Sequence, residues 1–332
     1  MNINNPAPKI NKRSRSQNRN RHAARPGGRE RQVSRIKQSK GDFAFSIIVG
    51  SILTILSLSS LIPIFSIALT SITPMYDIRT NPNAYIIIPQ SLTLNNYIWL
   101  FKGSTKLIDA YKITIFRTLA GTLICLLMTI ITAYPLSKKY LPGRKAIMMI
   151  FLFTMFFSGG MIPTYMLIRY LGLANTFWVM ILPCALSVYY MIIMRTFFSG
   201  IPEELEESAR IDGATDFTIL YRIILPLALP TLASIGLFYA VFHWNAFMDA
   251  VLYLGGNEGR KIWPLQMLLR QIITNNNTGE LQLGGLIEEA TRPNNTVIVS
   301  CCLVISALPI ICVYPFLQRY FVRGLMVGSL KG

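Results

Sequence analysis

Residues 201–226, IPEELEESARIDGATDFTILYRIILP, are the stretch that decides the fold, a charged segment between two long apolar runs. Pro202 and the glutamates after it predict a helix start, because a proline needs no N–H in the first turn and negative charge favours a helix N-terminus. Gly213 predicts the end of that helix, since glycine adopts the left-handed cap conformation without strain. Asp216 is expected to cap a second helix that ends at Pro226. The stretch therefore predicts a helix–turn–helix, called the bracket below.

The two sides of the first predicted helix differ in character. Glu206 and Arg210 are four residues apart, the spacing at which opposite charges pair along a helix. The opposite side is a narrow face of mostly small residues, which suits a closely packed contact. The members of that face are Ile201, Leu205, Ser208 and Ala209. An ordinary amphipathic connector between two membrane helices is the alternative interpretation of the bracket.

The composition is that of a membrane protein. The 332 residues are 52% hydrophobic and 14% charged, with a mean hydropathy of +0.44, which excludes an ordinary soluble domain. The formal net charge is +17, and 12 of the 32 lysines and arginines lie in the first 40 residues. We expect that tail to be disordered and to face the anionic cytoplasmic leaflet of the lipid bilayer. No aromatic residues are interleaved with its arginines, so the prediction is no nucleic-acid partner.

Six apolar runs predict an all-α integral membrane fold with six transmembrane helices. A helix needs roughly 20 apolar residues to cross a bilayer, and Pro63 is a candidate kink in the first run. The loop before the last run holds an amphipathic stretch, residues 263–273. The expected spans are residues 43–72, 113–136, 146–168, 177–194, 225–247 and 297–317. The expected divisions are a basic cytoplasmic tail at 1–41, the first helix and outer loop at 42–110, the main membrane domain at 111–318 and a cytoplasmic C-terminal tail at 319–332.

Basic residues near the ends of the runs predict the orientation, because they are retained on the cytoplasmic side. The N-terminal tail largely decides the outcome, since the remaining lysines and arginines are divided almost evenly between the two sides. With the tail inside, the basic cluster at residues 138–145 and the bracket fall in the cytoplasm. Six spans then place both termini there.

The cysteines and histidines predict neither a metal site nor a catalytic centre. All five cysteines lie in apolar runs without a C-x-x-C pair, so we interpret them as small packing residues. His243 is the one histidine in an apolar run, and it has no evident serine or cysteine partner nearby in sequence. No G-x-x-x-x-G-K-[ST] phosphate loop occurs. We predict no catalytic residue, metal or cofactor, and any drive from ATP would need a separate subunit.

The bracket resembles a known motif. Glu207-Ser208-Ala209, three residues, Gly213, nine residues and then Ile223-x-Leu225-Pro226 is similar to the "EAA" loop, E-A-A-x3-G-x9-I-x-L-P, of binding-protein-dependent ABC importer permeases. Ser208 replaces the first alanine and is nearly as small. The resemblance implies a type I ABC importer permease fold, with residues 111–318 as the permease domain and the bracket as a cytoplasmic coupling loop. The implied coupling residues are Glu207, Ser208, Ala209, Asp212, Gly213, Ile223, Leu225 and Pro226.

Other segments are similar to the carbohydrate-transporting, maltose-type branch of that family, close to permeases for polysaccharide-derived oligosaccharides. They are Ser158-Gly159-Gly160, Leu171-Gly172-Leu173 and the ending YPFLQRYFVRGLMVGSLKG, and the resemblance covers about residues 91–332. Ser158-Gly159-Gly160 could be a hinge or a close helix crossing permitted by small residues, and we favour the crossing.

The resemblance also implies partners and a mechanism. The partners are ABC ATPase subunits, a second permease subunit expected to be a different chain, an extracytoplasmic solute-binding protein and a carbohydrate. The bracket would dock in a cleft on the ATPase, and ATPase closure would move it. Its covalent links to the fourth and fifth spans would convert that movement into alternating access, a rigid-body switch of packed helices. The chain itself is then a non-catalytic subunit of the cell membrane.

Polar residues near the end of the fifth run are the candidates for the substrate path, because polar side chains inside a membrane are costly. The segment FHWNAFMDAVLYL resembles a W-N-x-F stretch that family members carry in the same place, and an aromatic ring with an amide suits a sugar. Alternatively, Tyr239 and Trp244 are interfacial anchors and Asn245 ties helices together. The candidates, called the polar cluster below, are Tyr239, His243, Trp244, Asn245 and Asp249.

Two other classes of protein fit less well. An ATP-independent secondary transporter usually shows inverted repeats and intramembrane carboxylates, whereas no internal repeat is found and all six predicted cores lack Asp and Glu. An intramembrane hydrolase would need a nucleophile with a base, or paired acids, at membrane depth. His243 is the only candidate for such a base.

Overall fold

The computed structural model describes residues 40–74, 91–103, 105–275 and 295–329. Most of the predicted basic tail, the greater part of the connection after the first span, residues 276–294 and the last three residues lie outside the described part. Within the described part the chain forms helices and no strands. The all-α prediction is therefore confirmed.

The longer helices coincide with the apolar runs, and shorter helices lie in the segments between them. Two short 3-10 turns, Phe177–Met180 and Leu182–Cys184, precede the helix Val188–Ser199. In chain order the helices are α1 (Lys40–Ile72), α2 (Asn95–Gly103), α3 (Thr105–Ser137), α4 (Arg144–Phe156), α5 (Met161–Tyr170), α6 (Val188–Ser199), α7 (Glu203–Ile211), α8 (Asp216–Leu227), α9 (Leu229–Asn245), α10 (Met248–Tyr253), α11 (Gly256–Lys261), α12 (Leu265–Asn275) and α13 (Asn295–Ser329).

Contacts divide the chain into two units, residues 1–59 and 60–332. The described part of the first unit is the beginning of α1, which runs through Pro63 as one helix. The packing discussed below belongs to the second unit. Among the described residues, three helical segments are long and apolar enough to cross a membrane, Gly41–Ile72, Lys106–Ser137 and Thr296–Val313. The number becomes six if each of three bent helix pairs is one span.

Several helices extend beyond the predicted membrane spans by a turn or more. The second helix begins at Thr105 rather than near residue 113, so the predicted division at residues 110/111 falls inside α3. The fourth run continues to Ser199. The last helix extends to Ser329, through most of the stretch predicted as a tail. Polar residues at the helix ends continue the backbone hydrogen bonding, which hydropathy alone does not detect.

The predicted helix crossing at Ser158-Gly159-Gly160 is not formed within the described part of the chain. A Cβ added at Gly159 would meet nothing within 4 Å, so no neighbouring helix approaches it. Gly160 instead has a φ of 86°, a left-handed value that glycine adopts without strain. The segment separates α4 from α5, whose axes differ by 111°. Here the small residues permit a sharp bend.

The centre of the second unit is α3, which packs against α6 and α9, while α9 also packs against α13. Three apolar clusters line these contacts, one towards the Ser137 end of α3 and two towards its Thr105 end. The predicted amphipathic stretch is confirmed as α12, which buries Leu265, Leu268 and Ile272. Consequently α3 contacts both the bracket, through Tyr134 and Asp216, and the polar cluster, through Thr129 and Tyr239.

Candidate functional site

The bracket forms as a helix–turn–helix, and the predicted role of Gly213 is confirmed. Gly213 has a φ of 82°, and its N–H bonds to the Arg210 carbonyl at 3.0 Å. The N–H of Ala214 reaches back to the Ala209 carbonyl at 2.9 Å, which completes a Schellman cap of α7. This cap turns the chain sharply into α8.

The start and end of α8 differ from the prediction. Thr215, not Asp216, is the N-cap, and its hydroxyl accepts a hydrogen bond from the Thr218 N–H at 3.4 Å. Pro226 does not end the helix, which continues to Leu227 through a π-helical turn at Leu220–Ile224. The axis then changes by 82° between α8 and α9. The bracket thus meets the following apolar helix nearly at a right angle.

The predicted Glu206–Arg210 ion pair is wrong. Glu206 is buried and forms an ion pair with Lys138, just beyond the end of α3. Arg210 instead donates to the Asp216 carboxylate at 2.7 Å and to the Tyr140 hydroxyl at 2.8 Å. Neither residue pairs with its i,i+4 neighbour, because Glu206 pairs with Lys138, 68 residues away, and Arg210 pairs with Asp216, six residues away beyond the turn. The bracket is therefore bound to the loop that follows α3.

The predicted small face is divided between a buried and an exposed side. Ala209 is half-buried against the cluster that includes Ile219 and Phe198, whereas Ser208 is exposed. A bulky side chain at Ala209 would therefore disturb the chain itself, while one at Ser208 would point into solvent. The other predicted coupling residues are placed as follows: Glu207, Asp212, Gly213 and Pro226 are exposed, and Ile223 and Leu225 are half-buried.

Large apolar side chains accompany the exposed side of the bracket. Ile211 is 87% exposed and Phe217 76% exposed. Leu205 and Tyr221 are exposed as well. Four such residues on one short charged segment exceed the scattered apolar residues of an ordinary surface, and clusters of this kind mark contact sites.

Charges around the bracket shift two of its titratable groups. A hydrogen bond from Lys139 lowers the pKa of the Glu203 carboxyl below its ordinary value. The hydrogen bond to Tyr140, followed by charge interactions, raises the pKa of the Arg210 guanidinium. Both groups are thus held in their charged forms. A charged cavity of about 290 Å³ lies beside them, between the loop after α3 and α7, with Arg144, Glu203 and Glu207 among its lining residues.

Most of the polar cluster is buried inside the chain. Tyr239 is 2% exposed, and its hydroxyl lies 2.9 Å from the Thr129 hydroxyl and accepts a hydrogen bond from the Ser187 N–H at 3.2 Å. The Trp244 indole N–H donates to the Ser306 carbonyl at 3.0 Å, and its ring meets Tyr111 edge-on at 5.8 Å. These contacts tie α9 to α3 and α13.

Asn245 is the member of the polar cluster that the structure leaves exposed. Its side-chain amide donates to the Val241 carbonyl at 2.9 Å, one turn earlier in α9, and among the described contacts its amide oxygen accepts no hydrogen bond from the protein. Asp249 is half-buried, and its side chain is 20% exposed. A ligand at this end of α9 could therefore reach Asn245 directly, but Tyr239, His243 and Trp244 only through rearrangement.

Arg117 is a residue of this site that sequence reasoning missed. It lies within α3, is completely buried and forms an ion pair with Asp249. The guanidinium also donates to the Ala246 carbonyl at 2.8 Å and to the Met180 carbonyl at 3.4 Å. A lone arginine in an apolar run was the available signal, because a charge at membrane depth requires a partner. The partner, 132 residues away, was not identifiable from spacing.

His243 has a cysteine neighbour that its sequence surroundings do not show. The Cys125 sulfur lies 3.4 Å from His243 Nε2, and both residues are completely buried. A Cβ at Gly121 would lie 2.5 Å from the same nitrogen, so the absence of a side chain there permits this approach. The pair is sealed by packing and offers no space for a substrate. Among the described residues no group of His, Cys, Asp and Glu could hold a metal ion.

Comparison with known proteins identifies the family of this chain. Residues 43–327 match the family described as "Binding-protein-dependent transport system inner membrane component". The chain belongs to this family. The permease is 37% identical to the "Polygalacturonan/rhamnogalacturonan transport system permease protein YtcP" of Bacillus subtilis, over 87% of this chain and 98% of that protein. It is 42% identical to "Protein LplC" of the same organism, over 75% and 82% of the two chains.

A solved structure agrees with the same assignment. A chain in the "Crystal structure of a bacterial ABC transporter involved in the import of the acidic polysaccharide alginate" matches with a TM-score of 0.77 and 33% identity. The match covers 86% of this permease and 99% of that chain. The resemblance to ABC importer permeases is confirmed, and nothing in the comparisons favours a secondary transporter. Relatives are named as transport permeases, and the permease is an integral inner-membrane protein.

Proposed function

We propose that this permease forms the membrane path of an ATP-driven importer for an oligosaccharide released from a polysaccharide. One observation supports this substrate class. Similar proteins that match this chain over nearly their whole length are named for polygalacturonan and rhamnogalacturonan transport and for alginate import. A solute-binding protein delivers the sugar, and a second permease subunit completes the path.

ATP hydrolysis belongs to separate subunits, and the bracket is the surface that contacts them. The sequence has no phosphate-binding loop of its own. The bracket presents Glu207 and Ser208 to solvent beside exposed apolar residues such as Phe217. Small and apolar groups beside a carboxylate match the chemistry of a cleft that buries a short helix. In this arrangement the bracket and both termini face the cytoplasm.

The sugar path lies beside the exposed end of α9. Asn245 has an amide oxygen free to accept a hydrogen bond from a sugar hydroxyl. The buried Trp244 and Tyr239 hold α9 against its neighbours instead of contacting the sugar. In this arrangement Asn245 contacts the sugar, and Trp244 and Tyr239 hold α9 in position.

The test uses ATPase retention on the permease purified through an affinity tag from cells that also produce the ATPase. Ser208→Trp adds bulk to the exposed side of α7 and should abolish both ATPase retention and sugar uptake. Gly213→Pro should do the same, because proline holds φ near −65° and removes the N–H that bonds to Arg210. The membrane helices should remain folded, since the bracket lies outside them.

Lys261→Trp is the matched control. It places the same large side chain at a position 67% exposed on α11, outside the bracket, and should leave ATPase retention unchanged. Full retention and uptake in both bracket variants would show that the bracket does not contact the ATPase.

A further inference from the structure

A buried ion pair joins the bracket to the end of α3. The side chains of Lys138 and Glu206 are each 10% exposed. The ammonium of Lys138 also lies 4.5 Å from the centre of the Tyr134 ring, a cation–π contact. Glu203, Glu204 and Glu207 of the same helix remain in solvent. Glu206 is therefore singled out among the glutamates of α7 for a contact within the chain.

Burial of two charges is poor evidence of stabilisation, because each ion loses several kcal/mol of hydration. A buried pair also keeps its two charges together, since water has little access to replace either partner. The adjacent Lys139–Glu203 pair shows the contrast. Its atoms lie 2.8 Å apart, but its side chains are 79% and 63% exposed, so water can replace either partner.

Further contacts hold the end of α3 and the loop after it to two helices, α7 and α6. Arg210 stacks over the Tyr140 ring at 5.1 Å and donates to its hydroxyl. From α6, which precedes the bracket, the Arg195 side chain donates to the Leu136 carbonyl at 3.0 Å and the Ser199 hydroxyl donates to the Ser137 carbonyl at 3.3 Å. The last turn of α3 is thus held by both α6 and α7, although neither adjoins it in sequence.

The opposite half of α3 carries Arg117. The helix is 33 residues long, which corresponds to about 50 Å at 1.5 Å per residue. Arg117 holds Asp249 and the Ala246 carbonyl, which flank the break between α9 and α10. A displacement of the Ser137 end therefore reaches the segment that presents Asn245 through one continuous helix.

We propose that Lys138 and Glu206 are positioning residues that transmit the movement of the bracket to α3. Through α3 the movement reaches the Arg117 site, in addition to the covalent path through α6 and α8. The proposal rests on the proposed function, in which the ATPase moves the bracket. It assigns a role in transport to two residues that need not contact either the ATPase or the sugar.

The test compares three variants of the whole importer reconstituted in liposomes with its ATPase and sugar-loaded binding protein. Lys138→Ala/Glu206→Ala removes the contact without leaving a lone buried charge. Lys138→Arg is conservative and keeps the charge. Lys261→Ala/Glu258→Ala is the matched control, the same pair of substitutions at an exposed ion pair on α11, outside the bracket. The measurements are ATPase retention, the rate of ATP hydrolysis and the sugar imported per ATP hydrolysed.

Lys138→Ala/Glu206→Ala should retain the ATPase and hydrolyse ATP. Its sugar imported per ATP should fall about fivefold or more, because coupling between two sites of a protein typically corresponds to a factor of at least about five. Lys138→Arg and the control should import like the wild-type protein. A merely structural pair would instead lower the yield or the ATPase retention, with no change in the sugar imported per ATP.

Wild-type import per ATP in Lys138→Ala/Glu206→Ala would overturn the proposal, and so would loss of the ATPase from that variant. Equal loss of import per ATP in the exposed-pair control would overturn it as well. Failure of the proposed function has a different signature, since the wild-type permease itself would then fail to retain the ATPase.

Discussion

Arg117→Met tests whether the buried pair with Asp249 holds together the helices around the Thr105 half of α3. Methionine preserves much of the length of the side chain but removes every donor. Asp249 then loses its cation, and the carbonyls of Ala246 and Met180 lose the guanidinium that links them. We expect a marked loss of thermal stability.

The magnitude follows from the burial of the two partners. Removing one member of a buried ion pair costs about 3–5 kcal/mol, because the other charge remains without compensation. Asp249 is 20% exposed, so water partly solvates it and we expect the lower end, about 3 kcal/mol. At about 2.1 cal/mol/K of unfolding entropy per residue, a chain of 332 residues then has its midpoint lowered by about 4 °C.

The native cysteines provide the assay. Cys125, Cys301 and Cys302 are buried, so a thiol-reactive dye labels them only when the bundle opens on heating. Cys312 is exposed and is replaced by serine in every variant to remove its early signal. The midpoint of dye labelling is then compared between the wild-type protein and the variants in the same detergent.

Two further variants test whether the loss of stability depends on the burial of the pair and on the unpaired charge that the substitution leaves. Lys112→Met on the same helix breaks an exposed pair with Asp109, whose side chains are 72% and 60% exposed, and should change the midpoint little. Arg117→Met/Asp249→Leu should be more stable than Arg117→Met alone, since it leaves no lone charge. A wild-type midpoint for Arg117→Met, or a double variant less stable than the single one, would refute the reasoning.

Two other predictions concern the sugar path and the orientation. Asn245→Ala should lower sugar uptake at an unchanged labelling midpoint, whereas Trp244→Ala should lower both by removing a buried ring, at a cost of about 3–5 kcal/mol; unchanged uptake in Asn245→Ala would place the path elsewhere. In cells carrying the Cys312→Ser protein, Lys261→Cys should react with an impermeant thiol reagent added outside and Lys139→Cys should not. Both positions are exposed, at 67% and 79% of the side chain, so the reverse labelling would show the opposite orientation.

Local backbone preferences were sufficient to predict much of the structure of the bracket. Gly213 is the residue type that a left-handed cap requires, and the cap forms there. The apolar runs predicted the membrane helices because the hydrocarbon core requires runs of about that length. Such features depend on neighbours within a few residues, so they can be recognised in one sequence.

Predictions about partners of side chains were less successful. Glu206 and Arg210 satisfy the helical spacing for an ion pair, yet each bonds to the loop after α3 instead. Ser158-Gly159-Gly160 has the composition of a helix crossing and forms a bend. In both cases the spacing permits several structures with similar local energies, and distant residues select one of them.

The sequence by itself determined the helical membrane fold, the family resemblance of the bracket and the position of its turn, because each follows from local backbone preference or from hydropathy. Only the tertiary structure decided which polar residues are buried and which remain available. Arg117 and Asp249 lie 132 residues apart in sequence, and Lys138 and Glu206 lie 68 apart. Their pairing depends on how α3 packs against α6 and α9, and that packing is set by many weak apolar contacts acting together.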